Sequence, residues 1–331
     1  MAADSVRLLT AVSVVTAMLA MLPRTAPAAE KVSDGHPRVP VLRRARVASE
    51  PGRGLRVGVL GMAAWDGSRR LRAVGVKWDR VDVGDGRNID LVRWAISRGV
   101  KVQVLYNPGL AGRSPAQCGA DVRALAHEIL PLGLFEIEFG NEVYFNGSTP
   151  QSYAAQYAAA HAAIAGMGVT LIADSFGDYQ RPDGSWSQDA RGGGWIHDFI
   201  RALPQHGREI DAFSIHPYGP VNHFGSMDGG WPSVRRFHHL AVANGVNVPW
   251  YITEVGQNLG HSTTSPPVDP HTQAADVTRY LSDTMFKFPW VTYIGLYALR
   301  DDDSGRWGLL NSNFTPRPAF RALVRFMLRH R

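Results

Sequence analysis

Residues 134–168, LFEIEFGNEVYFNGSTPQSYAAQYAAAHAAIAGMG, hold one complete strand-and-helix unit. Phe135, Ile137 and Phe139 alternate with Glu136 and Glu138, the period of a strand with two different faces. Gly140 lets the backbone turn. Thr149 and Pro150 then supply an N-cap and a first-position proline for a helix that ends in glycines. A strand followed directly by a helix is the building unit of a parallel sheet. Reading outward, the same unit recurs. Strand-like runs occur at LRVGVLGM (55–62), AVGVKWDRV (73–81), VKVQVLYN (100–107), LFEIEFGN (134–141), VTLIADS (169–175), IDAFSIHPY (210–218), VPWYITEVG (248–256) and VTYIGLYALR (291–300). Between them Ser114-Pro115 opens a helix as Thr149-Pro150 does, and DLVRWAISRG closes on Gly99, as a helix C-terminus should. Only the connection around 67–73 is too short to predict a helix. Eight such units match the size of a (β/α)8 barrel, about 250 residues. A doubly wound sheet is the alternative, but the glycine-rich phosphate fingerprint after its first strand is missing. The expected fold is therefore an α/β (β/α)8 TIM barrel, with residues 55–331 as a single domain.

The residues before the barrel read differently. Arg7 precedes an apolar run from Leu8 to Leu22, and Ala26 and Ala28 supply the small residues of a cleavage site. A run of that length suits a signal peptide over residues 1–28 better than a membrane span, which needs about 20 apolar residues. The expectation is a secreted, extracellular protein with no integral span after processing. Residues 29–54, rich in proline and arginine without apolar periodicity, read as a flexible basic segment. This region also explains the net charge of +6. Residues 31–56 carry seven basic groups (Lys31, Arg38, Arg43, Arg44, Arg46, Arg53 and Arg56) against Asp34 and Glu50, giving 7 − 2 = +5. Residues 1–30 balance at zero, which leaves +1 for the rest, so no basic nucleic-acid groove is expected. Cys118 is the single cysteine, and no disulfide can form within the chain. Twelve histidines invite a metal reading, but His238 and His239 are adjacent on a predicted helix and no H-E-x-x-H cluster occurs. No metal, no cofactor and a monomer are expected.

In a (β/α)8 barrel, functional groups project from the C-terminal ends of the strands. Those ends read Trp65, Arg80, Tyr106-Asn107, Asn141-Glu142, Asp174, His216-Pro217-Tyr218, Glu254 and Tyr297. Glu142 and Glu254, from strands 4 and 7, face one another across the barrel mouth. Two carboxylates flanking a bond are the equipment for glycoside hydrolysis: one gives a proton to the leaving oxygen, the other attacks or activates water. Their surroundings must hold them in different protonation states. Arg80 is placed to keep one of them charged, and Tyr218 to donate a hydrogen bond to it. Glu136 and Glu138 share the parity of Glu142 and point into the barrel, where they need partners such as Lys77 or Arg80. Trp65, Trp186, Trp195, Trp231 and Trp307 lie in or near loops, where their rings could stack on sugars or pack loops onto the rim.

These features together resemble glycoside hydrolase clan A, the retaining (β/α)8 glycosidases with their two catalytic glutamates on strands 4 and 7. The resemblance spans residues 55–325 and rests on EFGNE, YITEVG, VKWDRVDV, SIHPYG and WGLLNSNFTPRPAF. It implies Glu142 as acid/base, Glu254 as nucleophile, Asn141 on the sugar 2-hydroxyl, Arg80 and Tyr218 positioning Glu254, and His216 lining the site. It further implies carboxyl groups about 5–5.5 Å apart. Two positions depart from the common pattern: Val143 follows the acid/base where many relatives have proline, and Tyr297 stands where many have a tryptophan platform. Trp65 and Tyr297 complete the expected substrate-binding set. The substrate class is an oligo- or polysaccharide of the extracellular space or cell wall. A non-catalytic carbohydrate-binding barrel and a transglycosylase using the same residues are the alternatives. The long segments 175–195 and 219–231 are expected to wall one side of the cleft.

Overall fold

The computed structural model describes residues 54–86, 88–144, 146–174, 194–219, 230–260, 267–302 and 305–330. The signal-peptide reading and all but the last residue of the basic segment fall outside these residues. So do most of the two segments expected to wall the cleft, and Trp186.

Eight strands close into an all-parallel barrel in sequence order: β1 (Arg56–Val59), β2 (Trp78–Asp82), β3 (Lys101–Tyr106), β4 (Glu136–Phe139), β5 (Thr170–Ala173), β6 (Ala212–Ile215), β7 (Trp250–Val255) and β8 (Val291–Leu296). β1 pairs with both β2 and β8, which closes the ring. Each strand is followed by a helix: α1 (Ser68–Ala73), α2 (Ile89–Ser97), α3 (Pro115–Ile129), α4 (Pro150–Ala163), α5 (Trp195–Ala202), α6 (Ser233–Ala243), α7 (Pro270–Phe286) and α8 (Pro318–Arg329). The predicted (β/α)8 barrel is the observed fold. α3 and α4 open as expected, with Ser114 and Thr149 as N-caps in reciprocal capping boxes with Gln117 and Ser152. α1 corrects the reading of 67–73 as too short for a helix. It has six residues, with Leu71 fully buried as its anchor. Among the described residues, no helix is long and apolar enough to cross a membrane.

The core has two compartments. Between barrel and helices lies a large apolar shell in which Ile137 and Phe139 of β4 are fully buried, Phe139 stacking on Tyr106 and packing against Tyr153 and Tyr157 of α4. Inside the barrel the apolar part is small: Ile172, Ala212, Tyr251 and Tyr293, with Trp78 packed against them. The rest of the lumen is polar, because Glu136, Glu138, Arg80, Gln103 and Thr253 form hydrogen bonds there. Strand parity explains the first of these, since alternate residues of β4 face opposite sides. Phe135, just before β4, is 55% exposed and takes no part in the apolar face.

Candidate active site

The site is built on four strand ends. On β2, Arg80 is buried and spreads its guanidinium over three partners. Its Nε donates to Glu138 Oε2 at 2.5 Å, Nη1 to Glu254 Oε1, and Nη2 to Asn141 Oδ1 at 2.9 Å. Burial works against the Arg80 charge, but Glu138 and then Glu254 more than offset it and push its pKa up. The same pairing holds Glu138 below the ordinary carboxylate range despite complete burial. Gln103 Nε2 also donates to Glu138, at 3.1 Å.

On β4, the turn that presents Glu142 is tightly specified. Gly140 has φ 97°, and a Cβ there would meet Val143 Cγ1 at 2.6 Å. Only glycine meets both demands. Glu142 itself adopts φ 47°, a left-handed conformation that a side-chain-bearing residue rarely takes without support. Part of that support comes from Asp174, at the end of β5, whose Oδ2 accepts the Val143 N–H at 2.8 Å. Asp174 is in turn held by Tyr153, whose hydroxyl accepts the Asp174 N–H at 2.7 Å and donates to Phe139 C=O at 2.7 Å. Burial raises the Asp174 pKa to about 7, against the pull of His216.

On β6, His216 is fully buried and joins the two halves of the site. Its Nδ1 lies 3.0 Å from Glu142 Oε1 and 4.0 Å from Glu254 Oε2, and its Nε2 lies 2.9 Å from Thr253 Oγ1. Burial lowers its pKa, but Glu254 and the hydrogen bond to Glu142 raise it to about 9. At neutral pH both ring nitrogens therefore donate. The Thr253 hydroxyl donates a hydrogen bond to Glu138 Oε1 at 2.7 Å, so a continuous hydrogen-bonded chain runs from Glu142 through His216 and Thr253 to Glu138 and Arg80. Burial pushes the Glu142 carboxyl up, yet His216 and Arg80 outweigh it and hold it below the ordinary range.

On β7, Glu254 sits between Arg80 and the Tyr218 hydroxyl, which donates to its Oε2. Thr253 and Glu254 are consecutive, and yet both reach the lumen network. The register shows how. Ile252 pairs with Ile294 while Val255 pairs with Leu296, so β7 carries one extra residue against β8. Such a bulge re-aims a side chain that strict alternation would turn away. One oxygen of each carboxylate and a ring nitrogen of His216 lie within 4.8 Å of one another. The set could in geometry hold a metal ion, but Glu254 is already bound by the Arg80 guanidinium and Glu142 by the His216 ring, so its ligand atoms have partners within the chain. Donor chemistry and charge thus disfavour a resident metal.

Of the residues expected from sequence, Glu142, Glu254, Asn141, Arg80, His216 and Tyr218 come together in this cluster. Tyr297 packs edge-on against Tyr218, with ring centroids 5.9 Å apart. Trp65 does not join them; it packs edge-on against Phe320 at the start of α8 and lines a groove along α1. Trp307, grouped above only as one of several loop tryptophans, stands 5.1 Å from Tyr218 and so borders the site. Trp195 and Trp231 are buried and pack in the shell, not on a sugar-binding rim. Glu138 has the expected partner in Arg80, but Glu136 pairs with Arg56 at 2.6 Å and with Tyr251 at 2.8 Å, neither Lys77 nor Arg80. The missed residues are Asp174, Thr253 and Gln103. Asp174 carried a signal as a strand end, whereas Thr253 was hidden by the bulge.

No protein-family model and no curated protein sequence matches the chain. Solved structures do match its fold. A GH128 (subgroup I) endo-β-1,3-glucanase from Amycolatopsis mediterranei in complex with laminaritriose superposes with a TM-score of 0.53 at 15% identity, covering 83% of this chain and 100% of that one. A glycoside hydrolase family 17 β-1,3-glucanosyltransferase from Rhizomucor miehei gives a TM-score of 0.52 at 13% identity, covering 80% of this chain and 96% of that one. XacCel5A in complex with cellopentaose gives a TM-score of 0.56 at 13% identity, covering 84% of this chain and 100% of that one. At these identities the likeness is one of fold, the (β/α)8 barrel that the chain shares with these structures.

Proposed function

We propose that the chain is a secreted retaining glycoside hydrolase of clan A, which cleaves O-glycosidic bonds of an extracellular or cell-wall polysaccharide by double displacement, acting as a monomer. The observation that carries this reading is the close approach of Glu142 and Glu254, with carboxylate oxygens within 4.8 Å and unlike partners. Nearest oxygens this close favour a retaining pair, whose carboxyl groups stand about 5–5.5 Å apart, over an inverting pair at roughly 6.5–9.5 Å.

The partners divide the roles. Arg80 and Tyr218 fix both oxygens of Glu254, which is then aimed as the nucleophile at the anomeric carbon. Glu142 has no arginine of its own; it shares a proton with His216, held at 3.0 Å. A sugar ring closing over the pair removes water from the ionised carboxylate and draws that proton onto Glu142, which then passes it to the leaving oxygen. Glu142 is left ionised when the protonated leaving group departs, and it stays so because Glu254, now an ester, no longer adds its charge. Glu142 then acts as base and takes a proton from the incoming water, whose oxygen displaces Glu254 from the anomeric carbon. Asn141 Oδ1 is engaged by Arg80, which leaves its amide N–H groups to meet the sugar 2-hydroxyl. Tyr297 and Trp307 offer aromatic surface beside the nucleophile. A transglycosylase would use the same residues with a sugar in place of water, and one structural neighbour is a β-1,3-glucanosyltransferase.

Because the neighbours include enzymes acting on β-1,3-glucan and one solved with cellopentaose, laminari- and cello-oligosaccharides head the substrate panel. The test is NMR of the first product formed from each active substrate. A retained anomeric configuration supports double displacement. Inversion, or no cleavage of any polysaccharide or aryl glycoside, would overturn it.

A further inference from the structure

The short helix α1 borders a groove of about 1090 Å³ that none of the residues of the Glu142–Glu254 cluster lines. Its lining is two-sided. Trp65 and Phe314 supply aromatic rings, and Arg69, Arg70, Arg72 and Arg98 supply cations. Asp66 is the acidic residue among the lining groups; it reaches Arg98 at 2.7 Å with its side chain almost fully exposed, which makes a weak and displaceable pair. The groove thus concentrates a charge of 4 − 1 = +3, while the chain from residue 57 onward totals +1. Positive charge gathered against the average of the surface marks a site for anions.

Three details separate this groove from a solvated basic face. Arg72 Nε and Arg98 Nε are withdrawn from solvent and find no hydrogen-bond acceptor among the described residues. A buried donor without an acceptor is costly, so both guanidinium groups gain by turning to meet a carboxylate or sulfate oxygen in the groove. The Arg72 guanidinium also lies against the backbone of Gly99, where a Cβ would meet its Nη1 at 2.6 Å. Phe314, finally, holds an exposed aromatic ring at φ 63°, an outlier for a bulky residue, with the Arg300 guanidinium 5.2 Å from the ring. Strain kept at an exposed aromatic is a pointer to binding.

We infer that the α1 groove is a second carbohydrate-binding site, which takes an anionic glycan bearing uronate or sulfate groups, its rings on Trp65 and Phe314 and its anions on the four arginines. The site lies outside the cluster of Glu142 and Glu254 and needs no turnover, so its test stands or falls separately from the proposed activity.

The full-length chain is titrated with polygalacturonate, with chondroitin sulfate and with neutral laminarin, and its retardation is read in gels cast with each polymer. Binding to at least one anionic polymer is expected, weakening as salt is added. Arg69→Ser with Arg70→Ser, both exposed positions, should weaken it about tenfold or more while leaving cleavage of a small aryl glycoside unchanged. Phe314→Asn removes the ring but relaxes the backbone, since asparagine tolerates the left-handed region; it should weaken glycan binding while raising or preserving the melting temperature. The basic segment is the rival anion binder, so Arg43, Arg44 and Arg46 are changed to serine in a parallel variant. Loss of binding in that variant alone would overturn the proposal. So would an absence of binding to both anionic polymers, or equal affinity for a single-stranded oligonucleotide, which would mean that charge alone is read.

Discussion

Two glutamates two residues apart on β4 both face into the barrel, and they meet different fates. The lower one, Glu136, pairs with Arg56 beneath a cage in which the Arg56 guanidinium lies 4.9 Å from the rings of both Trp78 and Tyr251. The side chains of Arg56 and Glu136 each keep about a fifth of their surface in water, at 21% and 23%. The upper one, Glu138, is fully buried, and its partner Arg80 also holds Glu254 and Asn141. The lower pair closes the floor of the barrel. The upper pair ties the floor to the proposed chemistry, because one guanidinium satisfies the buried Glu138 and holds the proposed nucleophile, Glu254. Charge pairs of the same type thus serve stability in one layer and function in the next, and what divides them is burial and the number of partners.

The largest expected effect comes from breaking the upper pair. Arg80→Leu leaves Glu138 ionisable and unpaired in the lumen, which should cost about 3–5 kcal/mol in chemical denaturation and abolish turnover together. Arg56→Met should cost far less, about 1–2 kcal/mol, since a half-wet pair and its cation–π contacts are worth no more, and turnover should persist. Equal losses of stability in the two variants would erase the distinction between the layers.

Next is Asp174, which shapes Glu142 without touching substrate. Asp174→Ala removes the acceptor of the Val143 N–H and frees the left-handed turn, and a misplaced acid should lower kcat by roughly 10²-fold. Asp174→Asn keeps an acceptor and should recover most of the rate, while its pH profile loses the contribution of a carboxyl that titrates at about 7. If alanine and asparagine variants lose equally, Asp174 acts through packing and not through that hydrogen bond.

A smaller effect concerns His216. Its folded pKa, about 9, stands above its ordinary value of 6.5. A raised histidine stabilises the fold fully below the unfolded pKa and loses that contribution as pH climbs through the folded one. Stability measured by denaturant should therefore fall between about pH 6.5 and 9, and His216→Asn should flatten that fall. A slope unchanged in the variant would place the titration elsewhere.

Much of this was legible in the sequence because it follows from period and position. The eight runs give the barrel, the strand ends give Glu142, Glu254, Arg80 and His216, and serine or threonine before proline gives the starts of α3 and α4. The rest depended on what a linear pattern does not carry. Arg56 was counted with the basic segment because its charge matched its neighbours, whereas its partner lies 80 residues away on β4. Thr253 and Glu254 reach the lumen network together because a bulge breaks the alternation that parity reasoning assumes. Trp195 and Trp231 looked like loop aromatics but begin or precede helices whose faces the shell buries. Trp65 sits near a strand end as expected, but it packs against Phe320 of α8 and lines the groove along α1.

The central claim is that Glu142 and Glu254 share one reaction with unlike tasks, and covalent trapping tests it most directly. The chain is incubated with a 2-deoxy-2-fluoro glycoside carrying an activated leaving group, matched to the sugar of the best substrate, and its peptides are analysed by mass spectrometry. The account predicts one added glycosyl group, on the peptide containing Glu254, with labelling still seen in Glu142→Ala because the activated leaving group needs no proton. Labelling on Glu142, or turnover of the natural substrate that survives Glu254→Gln, would contradict it.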